Sequence, residues 1–291
     1  MTPLILGGCG RRAGAPPKAS VVLITIDTLR ADALGCYGHS AARTPSIDGL
    51  ARRGVLFENA VCQAPATGPS IASMMTSTYP LENGVVHSTL VLGEKNVTLA
   101  ETLKKHGYRT GAFVSCSILD SKYGFAQGFD VFDDAFTKKY SDTELERDAD
   151  ATTQAAISWL GGQRGQRFFA WVHYFDCHLP YEKHSSEDLD ETVGTRAFVE
   201  ALEAERSQEK IEQALPMIRK LYDDEVSFVD GHICPCQGPV KPACDHAASL
   251  YAVVRVSGKN RHSMQIPQRP PCQFRPPTRK RRPKAPRSGC R

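Results

Sequence analysis

No stretch of the 291-residue chain approaches the ~20 consecutive apolar residues that a bilayer-crossing helix needs, so no membrane-spanning helix is expected. Acidic residues are absent from Met1–Ser20 and nearly absent from His232–Arg291, which holds only Asp245. There is no internal repeat, which excludes solenoids and propellers built from repeated units. With 41% hydrophobic and 23% charged residues, the chain as a whole is neither disordered, collagenous nor a disulfide scaffold. At roughly 150 residues per domain, its length allows one large domain or two modest ones.

The overall net charge of +4 is an average over unlike parts. His232–Arg291 carries 13 Lys and Arg against one acid, ten of the 19 prolines and five of the ten cysteines. The other 231 residues carry a net charge of −8. Three segments follow: a leader or linker over 1–19, a globular domain over 20–231, and a basic Pro/Arg/Cys-rich tail over 232–291, expected to be disordered or the product of a shifted reading frame or gene fusion. The leader, with Arg11, Arg12 and Lys18 among Gly, Ala and Pro, reads as flexible. Its Leu6-Gly7-Gly8-Cys9 resembles a bacterial lipoprotein processing site, although Leu4–Leu6 is shorter than the ~7–15 apolar residues of a signal sequence. Acylation of Cys9 would attach the chain to a membrane and imply a periplasmic or cell-envelope location. Cys36, Cys62, Cys116 and Cys177 stand singly and read as buried free thiols.

Within the central segment, Val21–Ile26 is a short β-branched run of the kind buried on both faces of a parallel sheet, and it ends in Asp27-Thr28. A carboxylate there lies where open α/β sheets bind ligands, although an Asp after a strand is more commonly a helix cap. The sequence predicts helices over Pro45–Arg53, with Thr44 as N-cap and Gly54 beyond the end, and from Thr98, with a Thr98/Glu101 capping box and a stop at Gly107. It predicts strands over Ala112–Val114 and Phe168–His173, a helix over Ser141–Leu160 opened by a Ser141/Glu144 capping box, and a charged helix over Glu200–Asp230 that Pro216 should kink or split. Alternating strands and helices give an α/β fold with a mostly parallel sheet flanked by helices. In Ala64–Thr76, Pro69 at a helix start leaves Thr67 beside free first-turn amides, which favour an anionic oxygen: a nucleophile's alkoxide or a bound sulfate or phosphate. A plain Thr cap is the simpler alternative. Met74-Met75 reads as core.

Taken together, these segments resemble the sulfatase family of the alkaline phosphatase superfamily. The residues that carry the likeness are Ile26–Asp32, Gly35–Gly38, Thr44–Ala51, Gly54–Ala60, Thr67–Pro80, Gly124–Phe132, His173–Tyr181 and Tyr222–Val226 with Asp230, and they match the N-terminal portion of the family, over about residues 20–231. The resemblance implies an alkaline-phosphatase-like sheet, C-terminally incomplete, and a metal-dependent hydrolase of sulfuric or phosphoric esters acting on a small anionic substrate. It matches Asp27 to a metal-binding carboxylate, Thr67 to the nucleophile and metal neighbour, and His178 to a substrate-contacting histidine, with Asp176 supporting the His178 loop. The metal would be Ca²⁺ or Zn²⁺. Thr28 stands where many relatives have a second Asp, and Ile71 where they have Arg. Thr67 replaces a Cys or Ser oxidised to formylglycine, which threonine cannot become, so Thr67 looks more like the nucleophile of the superfamily's phosphodiesterases and phosphoethanolamine transferases. The implied chemistry is in-line attack by Thr67 through a covalent intermediate.

The later Asp-His-Gly or Asp-Asn-Gly segment that supplies the family's other ligands has no counterpart after Asp230. Asp245-His246 has no strand before it, and the Cys234, Cys236, Cys244 and His246 group lacks the spacing of a zinc knuckle. Arg279–Arg282 is a basic cluster, but no specific nucleic-acid partner is expected. With its metal site incomplete, the chain is expected to be weakly active or inactive; a non-catalytic truncated remnant is the competing expectation.

Overall fold

The computed structural model describes residues 19–139, 145–205, 207–233 and 250–256. Its strands are β1 (Val21–Asp27), β2 (Arg109–Val114), β3 (Val131–Asp133), β4 (Lys138–Lys139), β5 (Leu145–Glu146), β6 (Phe168–Tyr174) and β7 (Leu250–Val256). Its α-helices are α1 (Pro45–Arg53), α2 (Thr67–Thr76), α3 (Pro80–Asn83), α4 (Leu99–Lys105), α5 (Ala149–Gly161), α6 (Arg196–Glu205) and α7 (Gln208–Ile233). The main sheet has the order β3-β2-β6-β1-β7 and every pairing in it is parallel, while β4 and β5 form a small antiparallel pair. This is the mostly parallel α/β architecture expected from the sequence.

Alternation along the strands divides the core in two. Val22, Ile24 and Ile26 of β1 join Ala170, Val172 and Tyr174 of β6 on one face, packed with Ile47, Ala156 and Val226. Leu23 of β1 joins Phe169 and Trp171 of β6 on the other, against Ile71, Ala72 and Met75. Each large apolar side chain so buried contributes ~1.5–3 kcal/mol, which fixes the register, because a one-residue slip would exchange the two sets. Asp27, two residues beyond Thr25 on β1, therefore faces the side on which α2 packs.

Local expectations met different fates. The helices α1 and α4 occupy their expected places, and the Thr98/Glu101 capping box is present in both directions. At α1, however, the Thr44 side chain does not cap; the Ser46 and Ile47 amides are accepted by the Asp230 carboxylate of α7. The helix expected over Ser141–Leu160 begins at Ala149, because Leu145–Glu146 pairs as β5; Ser141 and Glu144 lie outside the described residues. The charged segment runs as helix through Pro216, with α6 ending at Glu205 and α7 beginning at Gln208. Within the basic tail over 232–291, one strand is described. Leu250–Val256 forms β7, parallel to β1 along its whole length, since the apolar run Leu-Tyr-Ala-Val-Val is as good a strand as β1. Cys9, the 234–249 segment with its Cys/His group, and Arg279–Arg282 lie outside the described residues. Of the four central cysteines, Cys116 and Cys177 are buried free thiols, whereas Cys36 and Cys62 are only half-buried.

Candidate functional site

Two apolar constraints bring the first pair of site residues together. The sheet ends β1 at Asp27, and packing of Ile71, Ala72 and Met75 places the start of α2 over that end. Thr67 opens α2, and its Oγ1 donates a 2.7 Å hydrogen bond to Asp27 Oδ2. Thr67 is 6% exposed and Asp27 fully buried. Burial pushes the Asp27 carboxyl up to about 7, against the opposing effect of the Thr67 hydroxyl and the Thr28 amide. Among the described residues, Asp27 Oδ1 is buried with no hydrogen-bond partner. The helix begins tightly against its neighbour: a Cβ on Gly68 would stand 2.8 Å from Ser88 Cα.

Behind Asp27 lies a polar ladder that the sequence reading did not single out. Thr25 and His173 are register partners on β1 and β6, and Thr25 Oγ1 lies 2.8 Å from His173 Nδ1. Trp171 Nε1 donates to the same Thr25 oxygen at 3.0 Å. His173 Nε2 stands 3.9 Å from Asp27 Oδ2 and 3.8 Å from Cys116 Sγ. Burial drives the His173 imidazole down to about 3, so it is neutral and its approach to Asp27 is not an ion pair. The signal was present in the sequence: Thr25 and Asp27, two residues apart, and His173 are polar positions on the same face of otherwise apolar strands.

His178 follows the end of β6 but belongs to a different set of neighbours. Its ring stacks on Phe175, with centroids 4.5 Å apart, and its Nδ1 lies 2.9 Å from the Leu179 carbonyl oxygen. Burial lowers its pKa. It lines a cleft with Lys138, Asp176, Glu182, His184 and Glu225, a set that does not include Asp27 or Thr67. Lys138 there pairs with Glu182 and, at 3.3 Å, with Asp148, while His184 Nε2 meets Glu225 Oε2 at 2.8 Å. Asp176 is tied to α5: its Oδ1 accepts the Ala149 amide at 2.8 Å.

A cation site was tested on the donors present. Asp27 Oδ1 and the Thr67 hydroxyl are two buried oxygens suited to a hard cation. Thr28, at the place of a second carboxylate, is committed elsewhere, its hydroxyl donating to the Cys177 carbonyl at 2.6 Å. Among the described residues no group of three or more His, Cys, Asp or Glu side chains could hold a metal ion. Zn²⁺ takes about four ligands and Ca²⁺ six to eight, so the described residues alone do not form a metal site. Ile71 is fully buried in the apolar cluster under α2 and offers Thr67 no polar group.

Comparison with known proteins decides the family. The model of the family described as Sulfatase matches residues 19–233. The chain belongs to the sulfatase family. It is 38% identical over 95 residues to an ulvan-active sulfatase of Formosa agariphila, covering 33% of this chain and 19% of that one. It is 35% identical over 114 residues to human arylsulfatase A, covering 37% and 22%. These alignments thus span about a fifth of the curated relatives. In structure it resembles the phosphonate monoester hydrolase of Agrobacterium radiobacter, with a TM-score of 0.61 at 19% identity over 82% of this chain and 62% of that one. A 2-O GAG sulfatase superposes with a TM-score of 0.60 at 18% identity, over 82% and 58%. At such identities the structures establish the sulfatase fold, and the family establishes sulfuric ester hydrolysis as its general chemistry.

Proposed function

We propose that this chain carries the nucleophile of a sulfuric or phosphoric ester hydrolase, with Thr67 as the attacking residue. The observation that carries this reading is the 2.7 Å hydrogen bond from Thr67 Oγ1 to the buried Asp27 at the meeting point of β1 and α2. Thr67 Oγ would form a bond to sulfur or phosphorus, its proton passing to Asp27, as the bond to the ester's alcohol oxygen breaks and the alcohol leaves; water would then cleave the threonyl ester, releasing sulfate or phosphate and restoring the hydroxyl. Asp27 holds the hydroxyl and accepts its hydrogen bond. First-turn amides of α2 favour negative charge at the same place. Sulfate esters are the favoured substrates, because the relatives at 35–38% identity are named as sulfatases.

Members of this family generally use a divalent cation, here Ca²⁺ or Zn²⁺, which when bound would neutralise charge on the ester. Asp27 and Thr67 would be the donors this chain supplies. The helix terminus contributes only ~0.3–2 kcal/mol, against the ~8 kcal/mol or more of an enzymatic rate enhancement. Turnover is therefore expected to be weak. His178 is assigned to contact the substrate from the neighbouring cleft, and acylation of Cys9 would hold the domain at a bacterial cell envelope.

The test is hydrolysis of para-nitrophenyl sulfate and bis(para-nitrophenyl) phosphate, with and without added Ca²⁺ or Zn²⁺. Slow hydrolysis that disappears in Thr67→Ala supports the assignment. Hydrolysis that survives Thr67→Ala overturns it.

A further inference from the structure

We propose that His173 is a positioning residue for Asp27: an imidazole held at Nδ1 by the Thr25 hydroxyl, with its Nε2–H directed between Cys116 Sγ and the Asp27 oxygen that receives the Thr67 hydroxyl. This deepens the reading of Thr67 as a nucleophile and rests on it.

The direction of the hydrogen bonds follows from what each group can do. Trp171 Nε1 can only donate, and it donates to Thr25 Oγ1. Thr25 is fully buried, and its single hydroxyl proton needs an acceptor. His173 Nδ1, 2.8 Å away, is that acceptor. An unprotonated Nδ1 on a neutral ring places the proton on Nε2. That N–H faces Asp27 Oδ2 at 3.9 Å and Cys116 Sγ at 3.8 Å. The sulfur is within hydrogen-bond distance for that element but is a weak acceptor, while Asp27 Oδ2 lies just beyond hydrogen-bond distance and attracts the N–H electrostatically. The opposite tautomer would set a nitrogen lone pair against Asp27 and leave the Thr25 proton without this acceptor.

A purely structural network would be expected to end with every group satisfied. This one ends on Asp27, which is fully buried yet, among the described residues, has one oxygen without a hydrogen-bond partner and the other shared with Thr67. Four fully buried side chains, Trp171, Thr25, His173 and Asp27, thus lead from the sheet core to the proposed nucleophile. Register pairing of β1 and β6 sets their order, so the alignment is a property of the sheet rather than of a loop.

Two measurements on the full chain test the proposal. Long-range ¹H–¹⁵N correlation of histidine-labelled protein should show His173 protonated at Nε2; protonation at Nδ1 would overturn the assignment. Labelling of Thr67 by an organophosphorus fluoridate, read by peptide mass spectrometry, separates positioning from packing. Glutamine places an amide near the Nε2 position and asparagine near Nδ1. In variants shown by thermal melting to be folded, His173→Gln should keep most of the labelling and His173→Asn should lose roughly tenfold or more. Equal labelling in the two variants overturns the positioning role. If Thr67 is labelled in no form of the protein, the nucleophile assignment fails, while the tautomer and the Asp27 ¹³Cγ shift still decide the His173–Asp27 relationship: a shift moved by His173→Asn but not by His173→Gln supports it, and one moved equally by both overturns it.

Discussion

Asp230 Oδ1 accepts the backbone amide of Ile47 at 2.8 Å, from 183 residues further along the chain. Its other oxygen accepts the Ser46 amide at 2.9 Å, so one carboxylate of α7 satisfies two first-turn donors of α1. Asp230 is 1% exposed. Asp230→Ala should therefore cost ~1–3 kcal/mol, leaving the buried Ile47 amide and the half-buried Ser46 amide without their acceptor. Urea denaturation checks this, and a midpoint equal to wild type would show that α1 is held by its apolar face alone.

Stability should fall between mildly acidic and neutral pH. Burial pushes the Asp176 carboxyl from an ordinary 3.8 up to about 7, the Ala149 amide opposing. Below about pH 4 the group is protonated in both folded and unfolded chains and has no effect. As pH rises, the unfolded chain ionises first, so the folded state loses stability until about pH 7, after which the penalty is constant. Glu146, in the same cleft and pushed up to about 7 chiefly by burial, acts in the same direction. Asp176→Asn should stabilise the protein by roughly 1–3 kcal/mol at about pH 8 and scarcely at about pH 4. Denaturation curves whose difference does not change with pH would contradict this.

Restoring the family's arginine should not restore function. Ile71 is fully exposed to core side chains and not at all to solvent, packed among Leu23, Met75 and Trp171. Ile71→Arg would bury a guanidinium within an apolar cluster, at a cost of ~3 kcal/mol or more. A sharply lowered melting temperature is expected; an unchanged one, with raised ester hydrolysis, would show that the position can open toward Thr67.

Much of this organisation was legible in the sequence, for identifiable reasons. β1 and β6 are short apolar runs ending in polar residues, and Pro45 and the Thr98/Glu101 box mark helix starts through local chemistry alone. Asp27 and Thr67 stand at a strand end and a helix start, where polar groups meet ligands, but a cap is the commoner role there and the sulfatase resemblance singled them out. The misses are tertiary. Ser141 and Glu144 have capping-box spacing, yet pairing of Leu145–Glu146 with Lys138–Lys139 delays the helix to Ala149. The β7 run was hidden in proline- and arginine-rich sequence, where composition averages mask seven residues. Thr25 and His173 stand out locally as polar positions in apolar strands, but that they face each other follows only from the β1–β6 register. His178 was placed by resemblance, and its cleft of Lys138, Glu182 and Glu225 is assembled from three distant segments.

The central claim is that the Asp27-bound hydroxyl of Thr67 is the chain's nucleophile. Its most direct test is to identify the side chain that an organophosphorus fluoridate modifies in the wild-type protein and in Asp27→Asn. The account predicts modification at Thr67, reduced about tenfold or more when the carboxylate becomes an amide. Modification at another hydroxyl, such as Ser70 or Ser88, with Thr67 untouched, would contradict it.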